Sequence, residues 1–328
     1  MRVNRRSLLT AAAGVASTAV IAAPSDRVRR LRIAHLTDIH LQPELAAARG
    51  LAACFQHVQT RPAAGVRGVL GDGLPDLIVT GGDTIMDAYE ADEARTRLQW
   101  ELWRKVKADH CGMEIHSVVG NHDIWGWART KSRTTGSEPR HGKRWVCDEF
   151  GRDLPYTSFT RGGWHVVLLD SVQPDAAEGA AGYVGRLDEP QWDWLERELA
   201  ALPAATPVII FTHIPILSAL PFTAVAPSAA DGAAPAFVVQ GSRVHLDVDR
   251  FQKLFAKHAN IRACASGHVH LVERLEHAGV RYFCNGAVSA GWWKGRHRDT
   301  DFGYAVIDLF DDGTAESHYV PYGWTAAS

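Results

Sequence analysis

The sequence predicts an α/β fold, in which short buried strands alternate with amphipathic helices. Two observations predict it. Apolar runs of strand length, bounded by Gly or Pro, recur along the chain, and segments with helical spacing lie between them. A third observation is that several runs stop at a cluster of Asp, His, Asn and Gly residues. Because ligands of α/β sheets bind outside the carboxyl ends of the strands, the pattern predicts a functional site there.

The length and net charge of the chain limit the number of domains and the classes of partner that are expected. The chain has 328 residues, a formal net charge of −2 and a hydrophobic fraction of 46%. A chain of this length can bury a substantial core in one large domain or two ordinary ones. The near-neutral balance gives no indication of a nucleic-acid duplex or an acidic macromolecule as partner. The chain has sixteen histidines, a high number that is compatible with a metal site.

The start of the chain has the layout of an export signal. An arginine pair at residues 5–6 precedes a mildly apolar, alanine-rich run over residues 10–23 that ends in small residues. This layout is typical of a signal peptide, and the arginine pair is typical of twin-arginine export. The run is too short for a stable membrane anchor. We therefore interpret residues 1–24 as a twin-arginine-type signal peptide and residues 25–328 as a periplasmic or secreted domain; a disordered basic tail is the alternative.

Eight apolar runs are predicted to be strands. Five end in polar clusters: LRIAHLTDIH (31–40), DLIVTGGD (76–83), EIHSVVGNHD (114–123), PVIIFTHIP (207–215) and NIRACASGHVH (260–270). Three others are expected to complete a second sheet or to extend the first: WHVVLLDS (164–171), VRYFCNGA (280–287) and YAVIDLF (304–310).

Three segments between the strands carry apolar residues at intervals of three or four, which places these residues on one face of a helix. The predicted helices and their buried side chains are 91–107 (Leu98, Leu102, Val106), 189–202 (Trp192, Leu195, Leu199) and 249–258 (Phe251, Leu254, Phe255).

The polar clusters together offer the ligands of a metal site. The candidates are Asp38, His40, Asp83, Asn121, His122, Asp123, His213, His268 and His270. Each motif alone is weak, because such residues usually form caps, turns or structural hydrogen bonds, but the ordered set is far more specific. Carboxylate, imidazole and amide donors without cysteine suit Mn, Fe, Zn or Co. Their number exceeds what one ion needs, which favours two.

The cysteines do not suggest a metal site. Five are present, without CxxC spacing, which makes a zinc ribbon unlikely. Cys264 and Cys284 lie in predicted strands and are expected to be buried thiols. A disulfide stays open if the compartment is oxidising.

The motif order DxH, GD, GNHD, H and GHxH resembles that of the calcineurin-like metallophosphoesterase superfamily. The resemblance runs from about Arg32 to His270 and is closest to bacterial class III cyclic-nucleotide phosphodiesterases and their exported relatives. It implies two mixed β-sheets packed as a sandwich flanked by helices, with a dinuclear metal site at the strand carboxyl ends. Met86 stands where purple acid phosphatases carry a tyrosine, so a tyrosinate–iron site is not expected.

The resemblance also implies a role for each candidate. One ion would be held by Asp38, His40 and His270, and the other by Asn121, His213 and His268. Asp83 would bridge the two ions. His122 would bind no metal but would point at the substrate, and Asp123 would orient its ring. In that position His122 would either protonate the leaving group or stabilise its developing charge.

These expectations define a predicted function. The protein is predicted to be an exported, dinuclear-metal-dependent phosphoesterase that hydrolyses small phosphate esters by in-line attack of a metal-bound hydroxide, with a phosphodiesterase favoured. One alternative is a phosphomonoesterase acting on nucleotides or sugar phosphates. Another is a non-catalytic metal- or phosphate-binding protein on the same fold, against which the complete ligand set weighs. A lipid-phosphate substrate has no amphipathic segment to support it.

Two loop segments, two tryptophans and three histidines lie outside the ligand motifs and carry predictions of their own. The polar, basic segment 125–147 and the long loop 218–244 are both predicted to rim the cleft. Trp292 and Trp293 are equally compatible with the core and with a substrate platform. Three histidines within predicted strands are expected to be structural: His35, His116 and His165.

Overall fold

The computed structural model describes residues 27–60, 73–175, 182–227 and 236–326. The predicted signal peptide lies outside the described residues, and so do residues 228–235 of the predicted long loop. No helix in the described ranges has the length and apolar character needed to cross a bilayer.

The described residues form thirteen strands and six α-helices, which are interspersed along the chain. The strands are β1 (Arg29–Leu36), β2 (Leu77–Thr80), β3 (Ile115–Ser117), β4 (Thr157–Arg161), β5 (Trp164–Leu168), β6 (Val172–Pro174), β7 (Tyr183–Gly185), β8 (Val208–Phe211), β9 (Ile261–Ser266), β10 (Val272–His277), β11 (Val280–Asn285), β12 (Gly303–Phe310) and β13 (Ala315–Pro321). The helices are α1 (Ala47–Thr60), α2 (Glu93–His110), α3 (Arg129–Ser132), α4 (Arg144–Phe150), α5 (Glu189–Ala201) and α6 (Val248–Lys257).

Two mixed sheets contain most of the strands. The five-stranded sheet has the order β13-β12-β1-β2-β3, in which β1, β2 and β3 are parallel and β12 and β13 are antiparallel. The six-stranded sheet has the order β10-β11-β9-β8-β5-β4, with a parallel centre and antiparallel edges. β6 and β7 form a small antiparallel pair. The predicted α/β fold with two mixed sheets is confirmed, and all eight predicted runs contain strands.

Three apolar clusters define the layers of the molecule. One lies between the sheets and includes Ile33, Val79 and Phe211. A second packs α1 and α2 against the outer face of the five-stranded sheet, and a third packs α5 and α6 against the six-stranded sheet. β1 shows the alternation of a strand, because Ile33 joins the cluster between the sheets while Ala34 joins the one under the helices. The sandwich is therefore flanked by helices on both sides.

Helix α2 buries a face that overlaps only partly with the one predicted. Leu98 is 46% exposed, whereas the buried stripe consists of Thr96, Gln99, Trp100, Trp103 and Val106. Intervals of three and four keep side chains on one face, but a run at strict intervals of four drifts by about 40° per step. The two tryptophans also carry the largest apolar area on the helix. The helix itself and the burial of Val106 are confirmed, Leu102 is partly buried, and the prediction for Leu98 was wrong. The buried faces predicted for α5 and α6 are confirmed.

The cysteines are unpaired. All five are free, and Cys264 and Cys284 are buried in β9 and β11, as predicted. Burial raises the pKa of both thiols well above the usual range, so that neither is a reactive thiolate at neutral pH.

Candidate metal centre

The predicted site residues follow five strands whose carboxyl ends meet. β1, β2 and β3 run parallel in one sheet, and β8 and β9 run parallel in the other. Each strand is followed within a few residues by a candidate: Asp38 and His40 after β1, Asp83 after β2, Asn121 to Asp123 after β3, His213 after β8, and His268 and His270 after β9. Both sheets therefore contribute side chains to one place in the cleft.

The backbone that carries these residues is strained. Five of the seven predicted ligands have a positive φ, between +46° and +69°: Asp38, His40, Asp83, His268 and His270. A left-handed conformation costs an ordinary residue about 1–2 kcal/mol. Such strain persists only where the surrounding structure enforces it, and it is concentrated at functional sites.

Two glycines allow these loops to approach closely. A Cβ on Gly120 would lie 2.0 Å from the backbone nitrogen of Asp83. A Cβ on Gly267 would lie 1.8 Å from the Thr37 hydroxyl and 2.2 Å from a carboxylate oxygen of Asp38. The glycines in the GNHD and GHVH motifs therefore bring neighbouring loops into contact.

The candidate ligands form two groups that meet at Asp83. In the first group, His270 Nε2 lies 3.2 Å from Asp38 Oδ1 and 3.0 Å from His40 Nε2. Asp83 Oδ2 lies 3.5 Å from His40 Nε2 and 3.2 Å from His213 Nε2, and thus faces both groups.

The second group is built around His213. Its Nε2 lies 3.1 Å from Asn121 Oδ1 and 3.1 Å from His268 Nδ1. Within each of three sets of side chains the ligand atoms lie within 4.8 Å of one another, as a metal ion would require: Asp38, His40 and His270; His40, Asp83 and His122; and Asp83, His213 and His268.

Backbone carbonyls fix the tautomers of three of these histidines. His213 Nδ1 donates to the Gly81 oxygen (2.8 Å), and His270 Nδ1 donates to the Ala290 oxygen (2.6 Å). His268 Nε2 donates to the Ser242 oxygen (2.8 Å). Since a carbonyl only accepts, each remaining ring nitrogen presents a lone pair to the cluster unless it takes up a proton.

Facing lone pairs repel unless a cation lies between them. The contact between His213 Nε2 and His268 Nδ1 is of this kind, and the carbonyls behind the rings are the outer partners that metal-bound histidines normally have. This donor set of imidazole, carboxylate and amide fits divalent transition-metal ions.

In the metal-free centre, bound protons supply part of the positive charge that metal ions would supply. Burial would lower the pKa of His213, but the adjacent Asp83 carboxylate raises it to about 9. Burial would likewise raise the pKa of Asp38 and Asp83, but His270 holds the first, and His213 the second, below the usual range. Two buried carboxylates thus stay ionised and require positive charge nearby.

Asp123 has a different partner from the one expected. Its carboxylate accepts the backbone amides of Thr84 (2.8 Å), Ile85 (3.2 Å) and Gly120 (2.9 Å). No hydrogen bond joins it to the ring of His122 among the described residues. Asp123 therefore ties the loop after β2 to the loop after β3, and the expected orienting contact is not made.

His122 lies beside the centre and is half-buried. Its backbone N–H donates to Asp83 Oδ1 (2.8 Å), and its ring meets that of His40 edge to face at 4.8 Å between centroids. Ring atom Nδ1 is buried and makes no hydrogen bond to any described residue. No hydrogen bond to a described residue therefore fixes the ring, and its position near His40 and Asp83 would also permit metal binding.

The two tryptophans have different environments. Trp293 is 1% exposed and donates from Nε1 to the carbonyl oxygens of Ile39 (2.9 Å) and His40 (3.0 Å), which fixes the loop after β1. Trp292 is half-buried, and its ring centroid lies 4.5 Å from that of His270. Trp293 belongs to the core, whereas Trp292 forms a wall of the centre.

Two aromatic neighbours of the centre carried no recognisable sequence signal. The His297 ring lies 5.7 Å from His270 and 5.5 Å from Trp292, and the Tyr183 ring lies 6.2 Å from His268. His297 stands in a charged loop and Tyr183 in a three-residue strand, so neither position shows periodicity or motif spacing.

The two segments predicted to rim the cleft differ in their contacts. The end of loop 218–244 reaches the centre, because Ser242 supplies the carbonyl that orients His268. In the basic segment 125–147, three cations are engaged in ion pairs elsewhere: Lys131 with Glu90, Lys143 with Asp170, and Arg144 with Asp148.

Comparisons with known proteins agree with this geometry. The model of the calcineurin-like phosphoesterase family matches residues 31–272. A curated relative from Synechococcus sp., named probable cyclic nucleotide phosphodiesterase, is 29% identical over 241 residues, which is 73% of each chain. A dimetal phosphatase from Danio rerio shares the fold with a TM-score of 0.53 and 15% identity, over 90% of this chain and 100% of its own. The chain belongs to the calcineurin-like phosphoesterase family and is a metal-dependent phosphoric ester hydrolase.

Proposed function

We propose that the protein is a phosphodiesterase for small phosphate esters that works with two divalent transition-metal ions. The observation that carries the proposal is the position of Asp83, whose Oδ2 faces His40 on one side and His213 on the other. A carboxylate shared between two imidazole groups is what a bridging ligand requires. The preference for diesters rests on the relative named probable cyclic nucleotide phosphodiesterase.

The chain's own residues supply the arrangement. When bound, the two ions would lower the pKa of a shared water and offset the negative charge of the phosphoryl oxygens. Asp38, His40 and His270 would hold one ion, and Asn121, His213 and His268 the other. Asn121 is a neutral donor, so the ion beside it would keep more of its positive charge.

His122 is proposed to act on the leaving group. It is half-buried, and its Nδ1 has no partner among the described residues. A ring that is not engaged by the protein can donate a proton to the departing alkoxide as the bond to phosphorus breaks. Asp123 would act indirectly, by holding the two loops that carry Asp83 and His122.

We also propose export by the twin-arginine route, which the arginine pair at residues 5–6 and the apolar run over 10–23 support. Replacing both arginines with lysines in the full chain should retain the protein in the cytoplasm. Fractionation that finds the variant outside the cytoplasm at the wild-type level would reject this route.

A direct test of the reaction compares bis(p-nitrophenyl) phosphate with p-nitrophenyl phosphate. The purified, metal-loaded protein should hydrolyse the diester with the higher kcat/KM. Preference for the monoester would favour the alternative phosphomonoesterase. No turnover of either ester, with metal content intact, would favour a protein that only binds metal or phosphate.

A further inference from the structure

A cavity of about 370 Å³ opens beside the metal centre. Val269, one of its lining residues, lies in the chain between the predicted ligands His268 and His270. His297, another lining residue, has its ring 5.7 Å from that of His270. The volume is within the range of small-molecule sites. The cavity therefore adjoins the place where a phosphoryl group would be held.

The end of loop 218–244 forms part of the same wall. Ser242 accepts a hydrogen bond from His268, and the next residue, Arg243, lines the cavity. Ser242 and Arg243 are adjacent in the chain. The residue that orients the predicted metal ligand His268 is therefore bonded directly to the arginine that lines the cavity.

Among the described residues, the charged side chains that line the cavity are all basic. They are Arg243 and Arg298, with His297 beside them, and none of the described lining residues is a carboxylate. Arg298 donates to the hydroxyl of Thr223 (3.0 Å). The Arg243 side chain is exposed and makes no hydrogen bond or ion pair with any residue that the structure describes. By contrast, Arg296 in the neighbouring loop is 4.0 Å from the Asp301 carboxylate.

The rest of the lining is mainly apolar and includes Leu220, Val225 and Leu271. An apolar surface next to two guanidinium groups matches an organic group that ends in an anion. Guanidinium binds carboxylate and phosphate through two parallel hydrogen bonds, which makes arginine the residue suited to such an anion.

Building on the proposed function, we propose that this cavity, the Arg243 pocket, binds the organic part of the phosphate ester. It would select esters whose organic part carries a second anionic group, a carboxylate or a phosphate. The metal centre would hold the phosphoryl group that reacts, while Arg243 and Arg298 hold the distal anion.

The test uses two series of p-nitrophenyl alkyl phosphodiesters, whose alkyl chains end in a carboxylate or in a methyl group. Because the leaving group is the same, any difference in kcat/KM comes from the distal end. The wild type should have a higher kcat/KM for the carboxylate ester at one alkyl chain length. That length reports the distance from the metal centre to the guanidinium groups. Arg243→Gln and Arg298→Gln should each reduce that preference by about tenfold or more, as expected for a charge-assisted hydrogen bond.

Arg296→Gln is the matched control, because Arg296 is near in sequence but does not line the pocket; it should keep the wild-type preference. A second readout is calorimetric binding of carboxyalkyl phosphonate and alkyl phosphonate to the metal-loaded protein. Arg243→Gln should weaken binding of the carboxyalkyl phosphonate, so that the two phosphonates bind with nearly the same affinity.

The outcomes separate this inference from the proposed function. Equal kcat/KM for the carboxylate and methyl esters at every chain length, or an unchanged preference in both arginine variants, would overturn the inference alone. Failure of the wild-type protein to hydrolyse any of the esters would overturn the proposed function and the inference with it.

Discussion

The ring of His122 makes no hydrogen bond to any described residue; His40 Nδ1 is likewise unbonded, but His40 Nε2 contacts His270 Nε2 at 3.0 Å. His213, His268 and His270 each donate to a backbone carbonyl, which fixes their rings. A fixed ring suits a metal ligand, whereas a ring that can reorient suits proton transfer to a substrate. The contrast supports different roles for residues that the sequence presents as equivalent.

We predict that His122→Ala keeps both metal ions but slows turnover. Proton donation to a leaving group contributes about 10²- to 10⁴-fold, or roughly 3–5 kcal/mol. The loss should be largest for alkyl esters, whose alkoxide needs a proton, and smaller for p-nitrophenyl esters. Kinetics on both ester classes, with elemental analysis of the same preparations, provide the check.

Loss of a metal equivalent in His122→Ala would instead identify the ring as a ligand. A rate loss that is equal for good and poor leaving groups would indicate electrostatic stabilisation of the phosphoryl group. Either result contradicts proton donation by His122.

Metal uptake is predicted to release protons at neutral pH. The pKa of His213 in the metal-free protein is raised to about 9 by Asp83, so its ring carries a proton below that pH and loses it on binding metal. For this one group, apparent metal affinity should fall about tenfold for each pH unit below the pKa.

The proton count can be measured by calorimetric titration of metal-free protein with Zn²⁺ or Mn²⁺ in buffers of different ionisation enthalpy. At neutral pH we expect release of at least one proton, and less above pH 9 as His213 becomes neutral. Metal binding without proton release at neutral pH would be incompatible with a protonated His213.

The polar motifs at the carboxyl ends of the strands could be predicted from sequence, because each motif lies within a few residues of the strand that it follows. The buried face of α2 could not, because it depends on which side chains the sheet and α1 accommodate. Trp100 and Trp103 join the cluster formed with α1, while Leu98 faces solvent. Strands β4, β6, β7, β10 and β13 were also not recognised from the sequence, nor was helix α1, although its buried Leu51, Phe55 and Val58 have helical spacing.

We predict a large difference between two substitutions in α2. Trp103→Ala removes a side chain that is 2% exposed, and should lower the free energy of unfolding by about 3–5 kcal/mol. Leu98→Ala removes one that is 46% exposed, and should change it by no more than about 0.5 kcal/mol. Urea unfolding followed by circular dichroism measures both. Comparable losses for the two variants would mean that the helix buries the face first predicted.

Across the whole molecule, the family resemblance carried by the order of the motifs predicted the sandwich. The grouping of the ligands could be predicted because parallel strands end at the same edge of a sheet. What depends on contacts between distant segments could not be predicted. Asp123 binds amides 38 and 39 residues away, instead of its neighbour's ring. Trp293 reaches the loop after β1, and the carbonyl of Ser242 orients His268.

The central claim is that Asp83 joins two metal sites, and metal analysis of the wild type and Asp83→Asn tests it most directly. Elemental analysis should find about two transition-metal equivalents per wild-type chain, because the ligands exceed one coordination shell. Asp83→Asn should lower the occupancy of both sites together and abolish most of the activity, whereas His40→Ala should empty mainly one. A single ion or none in an active wild-type preparation, or an Asp83→Asn protein with full metal content and full activity, would contradict the account.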